Sequence, residues 1–261
     1  PGSLRQTIAD VPAGTIITFA PSLSGSTILL TSGQLLLNKN LTIDASALSN
    51  GISVSGNNAA RVFQIASGNT ATLKGLNIAH GNAAFGGGID NSGTLFLSNV
   101  SLLNNSTSGR GGAINNGGTL ILNNSTVSGN TAADVGGGIL NNGSLALTNS
   151  TLTANTSLGS GGLQGFGGGI FNFDVSLTLI HCTLSGNTAT TFGGGLRTQG
   201  GTVSLQNTII AGNTAPTAGP DIANSGGTFI TSGANLIGNN ATVTTEFPAG
   251  PLAGTAASPL N

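Results

Sequence analysis

The stretch HCTLSGN, residues 181–187, carries the two side chains best suited to nucleophilic chemistry. Cys182 is the only cysteine of the chain, and it follows His181, one of two histidines. An imidazole beside a thiol can accept its proton and leave a reactive thiolate. Adjacent residues of a β-strand, however, point to opposite sides of the strand. Whether the pair is catalytic therefore depends on the element that carries it.

The composition is that of a folded chain with very few charges. Of 261 residues, 44 are glycine, 38% are apolar and 5% are charged, and the formal net charge is -1. The apolar fraction separates the chain from disordered polar sequences. The six basic residues are scattered along the sequence, whereas a nucleic-acid-binding protein clusters them. We expect no nucleic-acid partner.

Further observations concern disulfides, membrane-spanning segments and the first residue of the chain. A single cysteine permits no intrachain disulfide, and no apolar run approaches the roughly 18–20 residues of a membrane helix. We therefore expect no membrane-spanning segment. The chain starts at Pro1 rather than methionine, so we expect a processed chain or a fragment.

An internal repeat is the dominant feature of the sequence. Glycine-rich stretches precede an aliphatic anchor residue, and successive anchors are 25, 25, 31, 26 and 26 residues apart. The anchors are Ile89, Ile114, Ile139, Ile170, Leu196 and Ile222. Period-two alternation, as in Leu120, Ile121 and Leu122, predicts strands, and the glycines predict turns. A helix would lose about 1 kcal/mol at each glycine.

These repeats predict an all-β fold, a single right-handed, three-sided parallel β-helix with about 25 residues per coil. Neighbouring coils would lie roughly 4.8 Å apart. Equivalent aliphatic residues would then stack inside the solenoid in two columns: Leu97, Leu122, Leu147, Leu179 and Leu205; and Leu102, Val127, Leu152, Leu184 and Ile210.

The chain reads as one domain over residues 1–261. A short capping helix is predicted at 3–11, irregular early coils at 12–80 and regular coils at 81–240. The long interval before Ile170 places an inserted loop at 157–166, and an irregular segment follows at 241–261.

Two asparagine columns recur with the coils, and stacked amides can form hydrogen-bonded ladders. The first column contains Asn105, Asn130, Asn155, Asn187 and Asn213 and continues to Asn239. The second contains Asn91, Asn116, Asn141 and Asn172, with Thr198 as an exception before Asn224.

The repeats GGGILNNGSLALTNSTLTAN and GGAINNGGTLILNNSTVSGN resemble the right-handed parallel β-helix repeats of bacterial surface and secreted proteins, including the polymorphic outer-membrane-protein and autotransporter-passenger type. PGSLRQTI is similar to the CSLREA-type segment that precedes many such solenoids. It lacks the cysteine of that segment, and Gln6-Thr7 replaces its Glu-Ala step. SGANLIGNN and PLAGTAASPL resemble the C-terminal coils of the group. The resemblance implies an extracellular or cell-surface solenoid from a bacterium.

Polysaccharide lyases and hydrolases are the enzymes that use this fold, and glycoside cleavage needs two carboxylates about 5–9.5 Å apart. No two acids of this chain share a column in adjacent coils; they are Asp10, Asp44, Asp90, Asp134, Asp174, Asp221 and Glu246. We therefore expect no catalytic site, no metal and no cofactor. A polysaccharide-active enzyme stays as the alternative.

Two surfaces are candidates for binding. Ser101, Thr126, Thr151 and Thr183 form an outward hydroxyl column that could meet ice or glycan. The inserted loop offers Leu158, Leu163 and Phe166 for contact with a partner, since loops that bulge from solenoids often bind. The break of the hydroxyl column at Ile209 weakens the ice interpretation.

The repeat also gives HCTLSGN a structural interpretation. His181 aligns with a column of polar residues, Asn99, Asn124, Asn149 and Asn207. Cys182 aligns with small, inward residues, Val100, Ser125, Ser150 and Thr208. The sequence thus predicts a buried, unreactive thiol.

As a whole, the sequence predicts a non-catalytic structural or adhesive element outside the cell. Its expected partners are copies of itself, end to end or side by side, or components of the cell surface or matrix. Self-association into a fibre is consistent with the small number of charges, because like-charge repulsion is weak.

Overall fold

A computed structural model describes residues 2–160, 162, 164–248 and 252–255. Within these ranges the chain forms an all-β parallel solenoid of about eight turns, with about 26 residues per turn and one short α-helix. The predicted fold class is therefore confirmed. The repeat fixes this architecture because each coil exposes apolar side chains that only a neighbouring coil can cover.

The helix α1 spans Leu4–Asp10, and a 3-10 turn spans Pro21–Leu23. The strands, in chain order, are β1 (Ile16–Thr18), β2 (Thr27–Leu29), β3 (Leu35–Leu37), β4 (Leu41–Asp44), β5 (Ile52–Ser55), β6 (Phe63–Ile65), β7 (Thr70–Lys74), β8 (Leu76–Ala79), β9 (Asn82–Phe85), β10 (Ile89–Asn91), β11 (Thr94–Ser98), β12 (Ser101–Leu103), β13 (Ser106–Arg110), β14 (Ile114–Asn116), β15 (Thr119–Asn123), β16 (Thr126–Ser128), β17 (Thr131–Ala132), β18 (Ile139–Asn141), β19 (Ser144–Thr148), β20 (Thr151–Thr153), β21 (Thr156–Ser157), β22 (Ile170–Phe173), β23 (Leu177–Ile180), β24 (Thr183–Ser185), β25 (Thr188–Ala189), β26 (Leu196–Gln199), β27 (Thr202–Gln206), β28 (Ile209–Ile210), β29 (Ile222–Ser225), β30 (Thr228–Ser232) and β31 (Leu236–Ile237).

These strands form three long parallel sheets, one for each side of the coil. Sheet A has the order β1-β4-β7-β11-β15-β19-β23-β27-β30, sheet B the order β2-β5-β8-β12-β16-β20-β24-β28-β31, and sheet C the order β3-β6-β10-β14-β18-β22-β26-β29. A fourth, shorter sheet, sheet D, has the order β9-β13-β17-β21-β25 and lies between sheets B and C in the chain path. The predicted three-sided coil therefore lacks one feature of the structure. The corner between sheets B and C is long enough to form a short parallel sheet of its own.

The predicted aliphatic columns line the interior. Leu97, Leu122 and Leu147 pair in register along sheet A and are at most 1% exposed. Leu102, Val127 and Leu152 pair along sheet B and are fully buried. The anchor residues are also fully buried and pair along sheet C. One continuous core therefore follows the solenoid axis.

The helix α1 covers the first coil. Ser3 caps its N-terminus, since the Ser3 hydroxyl accepts a hydrogen bond from the Gln6 backbone N–H at 3.1 Å. Leu4 and Ile8 are buried in the core. The Lys39 ammonium donates to the carbonyls of Ala9 and Val11 at the end of the helix, at 2.9 and 2.8 Å. The helix thus shields the edge where β2 and β3 begin their sheets.

The glycine triplets before the anchors have a steric explanation. In GGG at 136–138, Gly136 has φ +66°, a conformation that favours glycine. A Cβ on Gly137 would lie 2.5 Å from the carbonyl oxygens of Thr156 and Gly168, backbone atoms that cannot move aside easily. The second glycine of each triplet is similarly crowded by backbone at Gly87, Gly112, Gly137, Gly168 and Gly194. Glycine there permits the close approach of coils.

The far end of the solenoid is also covered by chain. Val243 and Phe247 are buried in the central core, 1% and 8% exposed. The Ile237 N–H donates to the Leu252 carbonyl at 2.9 Å. The described part of 241–261 therefore packs on the last coil.

Candidate functional site

The structure separates the residues of the possible dyad. Cys182 is 1% exposed, and its Sγ donates to the Ile180 carbonyl at 3.3 Å. The His181 side chain is exposed, and its Nε2 lies 3.1 Å from the Asn207 amide nitrogen. Burial raises the pKa of the Cys182 thiol, which opposes thiolate formation. The pair has the geometry of a turn residue followed by a core residue.

His181 aligns with the predicted asparagine column for a backbone reason. Asn99, Asn124, Asn149, His181 and Asn207 all have positive φ, between 48° and 53°. Asparagine and histidine are among the non-glycine residues that tolerate this left-handed conformation. Side-chain contacts along the column are few, such as the 3.3 Å bond from Asn149 to Asn124. The sequence places the five residues in one polar column, and the positive φ is what all five share.

Cys182 should react slowly with thiol reagents at neutral pH. We expect the native rate to be about 100-fold or more below that of the urea-unfolded chain, because labelling needs an accessible thiolate. The measurement is stopped-flow or manual labelling with a chromogenic disulfide. A Cys182→Ser/Asn123→Cys variant, with its thiol at an exposed position, should label at the unfolded rate. Equal rates for native and unfolded wild-type protein would contradict the buried placement.

The first asparagine ladder is present and continuous. The Nδ2 of Asn105 donates to the Oδ1 of Asn130 at 3.0 Å, and Asn130 repeats the bond to Asn155 at 2.9 Å. Asn155 donates to Asn187 and Asn187 to Asn213, both at 2.9 Å. Each Oδ1 also accepts the backbone N–H of the preceding ladder residue, as in Asn130 to Asn155 at 3.1 Å. All five side chains are buried.

The ladder ends on a carboxylate rather than on Asn239. The backbone N–H and the Nδ2 of Asn213 donate to the Oδ1 of Asp221 at 2.9 and 2.8 Å. Asp221 occupies the third position of the glycine triplet, where a Cβ on Gly195 would lie 2.8 Å from the Asn213 Nδ2. A side chain at that position points at the ladder, so the Asp221 carboxylate accepts the two hydrogen bonds that a further asparagine would otherwise accept. Burial raises the pKa of Asp221.

The second ladder runs along sheet C. Asn91, Asn116 and Asn141 each donate from Nδ2 to the next residue's Oδ1, at 2.8, 2.7 and 2.7 Å, and the last acceptor is Asn172. Asn172 lies 3.4 Å from the Thr198 hydroxyl, which in turn donates to the Gly200 carbonyl. Thr198 therefore ends the chain of amide bonds, as the sequence exception at this position predicted.

Three of the seven carboxylates pair with separate basic side chains. Asp44 pairs with Lys74 at 3.5 Å, Asp90 with Arg61 at 3.6 Å, and Asp134 with Arg110 at 3.9 Å. Hydrogen bonds from the Ser46 hydroxyl and, to a lesser extent, its backbone N–H lower the pKa of Asp44, together with the charge of Lys74. In the part of the chain that the structure describes, no group of three or more His, Cys, Asp or Glu side chains is placed to hold a metal ion.

The predicted hydroxyl column lies in register on the outer face of sheet B. Ser101, Thr126, Thr151 and Thr183 are paired strand to strand and half-buried. A second outward column, Ser128, Thr153 and Ser185, runs beside it. The exposed Ile209 follows Thr183 and interrupts the array. A ligand role for this face stays a prediction.

The last residue of the inserted loop, Phe166, packs against outward side chains of sheet C. Leu158 is 45% exposed, whereas Leu163 lies outside the described residues. Phe166 is half-buried, and its ring lies 5.9 Å from the ring of Phe171 and 5.7 Å from that of Phe192. Phe166 therefore joins a cluster of side chains from neighbouring coils. A partner contact through the loop stays a prediction.

The residues around Phe166 were not singled out from the sequence. The Arg197 guanidinium carbon lies 5.4 Å from the ring centres of both Phe166 and Phe192, in cation–π contact. Four of the ten phenylalanines fall in the short interval 166–192. This enrichment and the change after the anchors from Asn115 to Leu140, Phe171 and Arg197 could have indicated the cluster.

Comparison of the chain with protein-family models, curated proteins and solved structures finds no match. The functional interpretation therefore rests on the residues and their geometry. Among the described residues, no helix has the length and apolar character needed to cross a membrane.

Proposed function

We propose that this protein is a non-catalytic structural or adhesive solenoid that acts outside the cell. One observation carries the proposal: the first ladder spans the interior from the Gly81 N–H, which donates to Asn105, to the carboxylate of Asp221. The buried asparagines and Asp221 thereby bond neighbouring coils to one another. The dispersed, separately paired carboxylates further support a scaffold over a polysaccharide-active enzyme.

A stiff rod needs surfaces through which it meets other molecules. The helix α1 covers the first coil, which favours side-by-side over end-to-end contact between copies. The outer face of sheet A is the best candidate surface, because apolar side chains stand at both ends and in the middle of its central column, with threonine and serine side chains between them. Ile16, Phe96 and Ile230 are 63%, 37% and 58% exposed there, and Ile121 follows Phe96 in register. Exposed apolar surface of this kind favours association.

The assembly is tested by light scattering and electron microscopy over a concentration series. The wild-type mass is expected to rise with concentration, because stacking two faces of sheet A removes apolar surface from water. Ile121→Lys should keep the chain monomeric, since it places a charge in the contact.

Thr126→Lys is the matched control, because it adds the same charge to sheet B one side away in the same coil. It should associate like the wild type. Wild-type material that is monomeric throughout the series would contradict the assembly. An equal loss of concentration-dependent association in Ile121→Lys and Thr126→Lys would contradict it too.

A further inference from the structure

A groove of about 300 Å³ lies on the outer side of sheet C. Its floor is formed by Val135, Leu140 and Phe171, which are 1%, 2% and 7% exposed. These three side chains form an apolar cluster separate from the central core of the solenoid. The volume lies at the small end of the range for ligand pockets, about 300–1,000 Å³. The outer face therefore carries a second apolar surface that the stacking of coils does not explain.

Aromatic rings form the walls of this groove. Phe166 and Phe173 stand on either side of Phe171, with ring centres 5.9 and 6.1 Å from it. Phe173 is 41% exposed, so part of its ring is available to a ligand. Phenyl faces offer apolar area at low conformational cost. A sugar ring suits such a wall, because one of its faces presents C–H groups and its edge presents hydroxyls.

Three polar side chains line the same groove. Asn142 and Gln199 each provide an amide that donates and accepts, and Arg110 provides a planar guanidinium. Amides of this kind match pairs of hydroxyls, and a guanidinium matches a carboxylate with two parallel hydrogen bonds. Apolar area with a few polar groups is the usual composition of small-molecule sites.

The guanidinium of Arg110, which lines the groove, can meet an anionic group of a ligand. Arg110 is 44% exposed, and its ion pair with Asp134 is long at 3.9 Å. Arg197 stands behind Phe166, and its Nε is buried without a hydrogen-bond acceptor among the described residues. Burial lowers the pKa of Arg197. Arg110 thus lines the groove and Arg197 lies behind its Phe166 wall, whereas Asp134 pairs with Arg110 and Asp174 follows Phe173 in the chain.

The strands beneath the groove make a peptide strand a poor occupant. β18, β22 and β26 are each hydrogen-bonded on both sides within sheet C. A peptide that binds by adding a strand needs a free sheet edge, and the floor offers none. Recognition in this groove must therefore use side chains.

We propose that this groove binds an acidic oligosaccharide, with a sugar ring against Phe173 and Phe171 and a uronate carboxylate on Arg110. The site lies within one chain, so it does not depend on the assembly through sheet A. Binding is measured by titration calorimetry at concentrations where light scattering gives a monomer. The probes are a trigalacturonate and a neutral galactose trisaccharide.

The wild type should prefer the trigalacturonate by about tenfold or more, the factor that corresponds to about 1.4 kcal/mol. Arg110→Gln should remove that preference, whereas Phe173→Ala should weaken the binding of both saccharides. Two controls match these variants in exposure and lie on sheet A. Phe96 is 37% exposed, and Lys74 is 42% exposed and ion-paired at 3.5 Å. Phe96→Ala and Lys74→Gln should bind like the wild type.

Three outcomes would overturn the proposal. They are no wild-type binding of trigalacturonate at millimolar concentration, equal binding by wild type and both groove variants, and tighter binding of a glutamate-rich hexapeptide. Circular dichroism of each variant separates a lost contact from a lost fold. None of these outcomes bears on the concentration-dependent mass that tests the assembly.

Discussion

Asn155→Ala is expected to lower the free energy of unfolding by about 3 kcal/mol, because a buried group left without a partner costs roughly 1–3 kcal/mol. The Oδ1 of Asn155 accepts from the backbone N–H and the Nδ2 of Asn130, at 3.1 and 2.9 Å. Its Nδ2 donates to the Val127 carbonyl and to Asn187, both at 2.9 Å. Alanine would leave the buried backbone N–H of Asn130 without its acceptor, whereas the Nδ2 of Asn130 keeps the Leu102 and Ser128 carbonyls.

Urea unfolding followed by circular dichroism measures the total effect, and hydrogen exchange measures the local one. The amide of Asn130 should exchange faster in the variant, since its acceptor is gone. Asn123→Ala is the control: Asn123 ends β15 with an exposed side chain, and such surface changes stay within about 0.5 kcal/mol. A similar small effect for Asn155→Ala would show that the ladder adds little stability.

Gly137→Ala is expected to destabilise the solenoid by about 3 kcal/mol, the upper part of the usual range for overpacking. The added methyl would lie 2.5 Å from the carbonyl oxygens of Thr156 and Gly168. The Gly137 N–H also donates to the Gly167 carbonyl at 3.0 Å, so relief of the clash would strain the pairing of neighbouring coils. Thermal and urea unfolding measure the loss.

Gly117 provides the matched comparison for this substitution. It lies in a turn without positive φ, and a Cβ there would meet only the Asn91 carbonyl oxygen, at an ordinary 3.7 Å. Gly117→Ala should be neutral or slightly stabilising, because alanine restricts the unfolded chain. Equal losses of stability in Gly117→Ala and Gly137→Ala would mean that the glycines provide general backbone flexibility and are not required for close contact between coils.

Both predictions concern positions that repeat in every regular coil. The ladder and the glycine triplets hold coils together, and this role constrains their residue types. The outward positions have no such constraint, which is why sheet C can change from Asn115 to Leu140, Phe171 and Arg197 without interrupting the backbone pairing. The proposed assembly face and the proposed saccharide groove both use this freedom.

The sequence by itself determined the stacking of the coils. Intervals of 25 and 26 residues place Leu97 above Leu122 and Asn105 above Asn130, and a parallel solenoid pairs residues at equal repeat positions. The burial of Cys182 followed from the same alignment. Each of these results needs only a period and an alternation, which are local properties of the chain.

Other features depended on three-dimensional distances that a period does not contain. The fourth sheet, the positive φ shared by His181 and its column, and the placement of Asp221 on the last rung of the ladder follow from the path of the backbone at the corners. The groove required Phe166, at the end of the inserted loop, to meet Phe171 and Arg197 from successive coils. The repeat determines which residues stack on one another. The contacts between the outward side chains and the inserted loop have no period, so only the tertiary structure determines them.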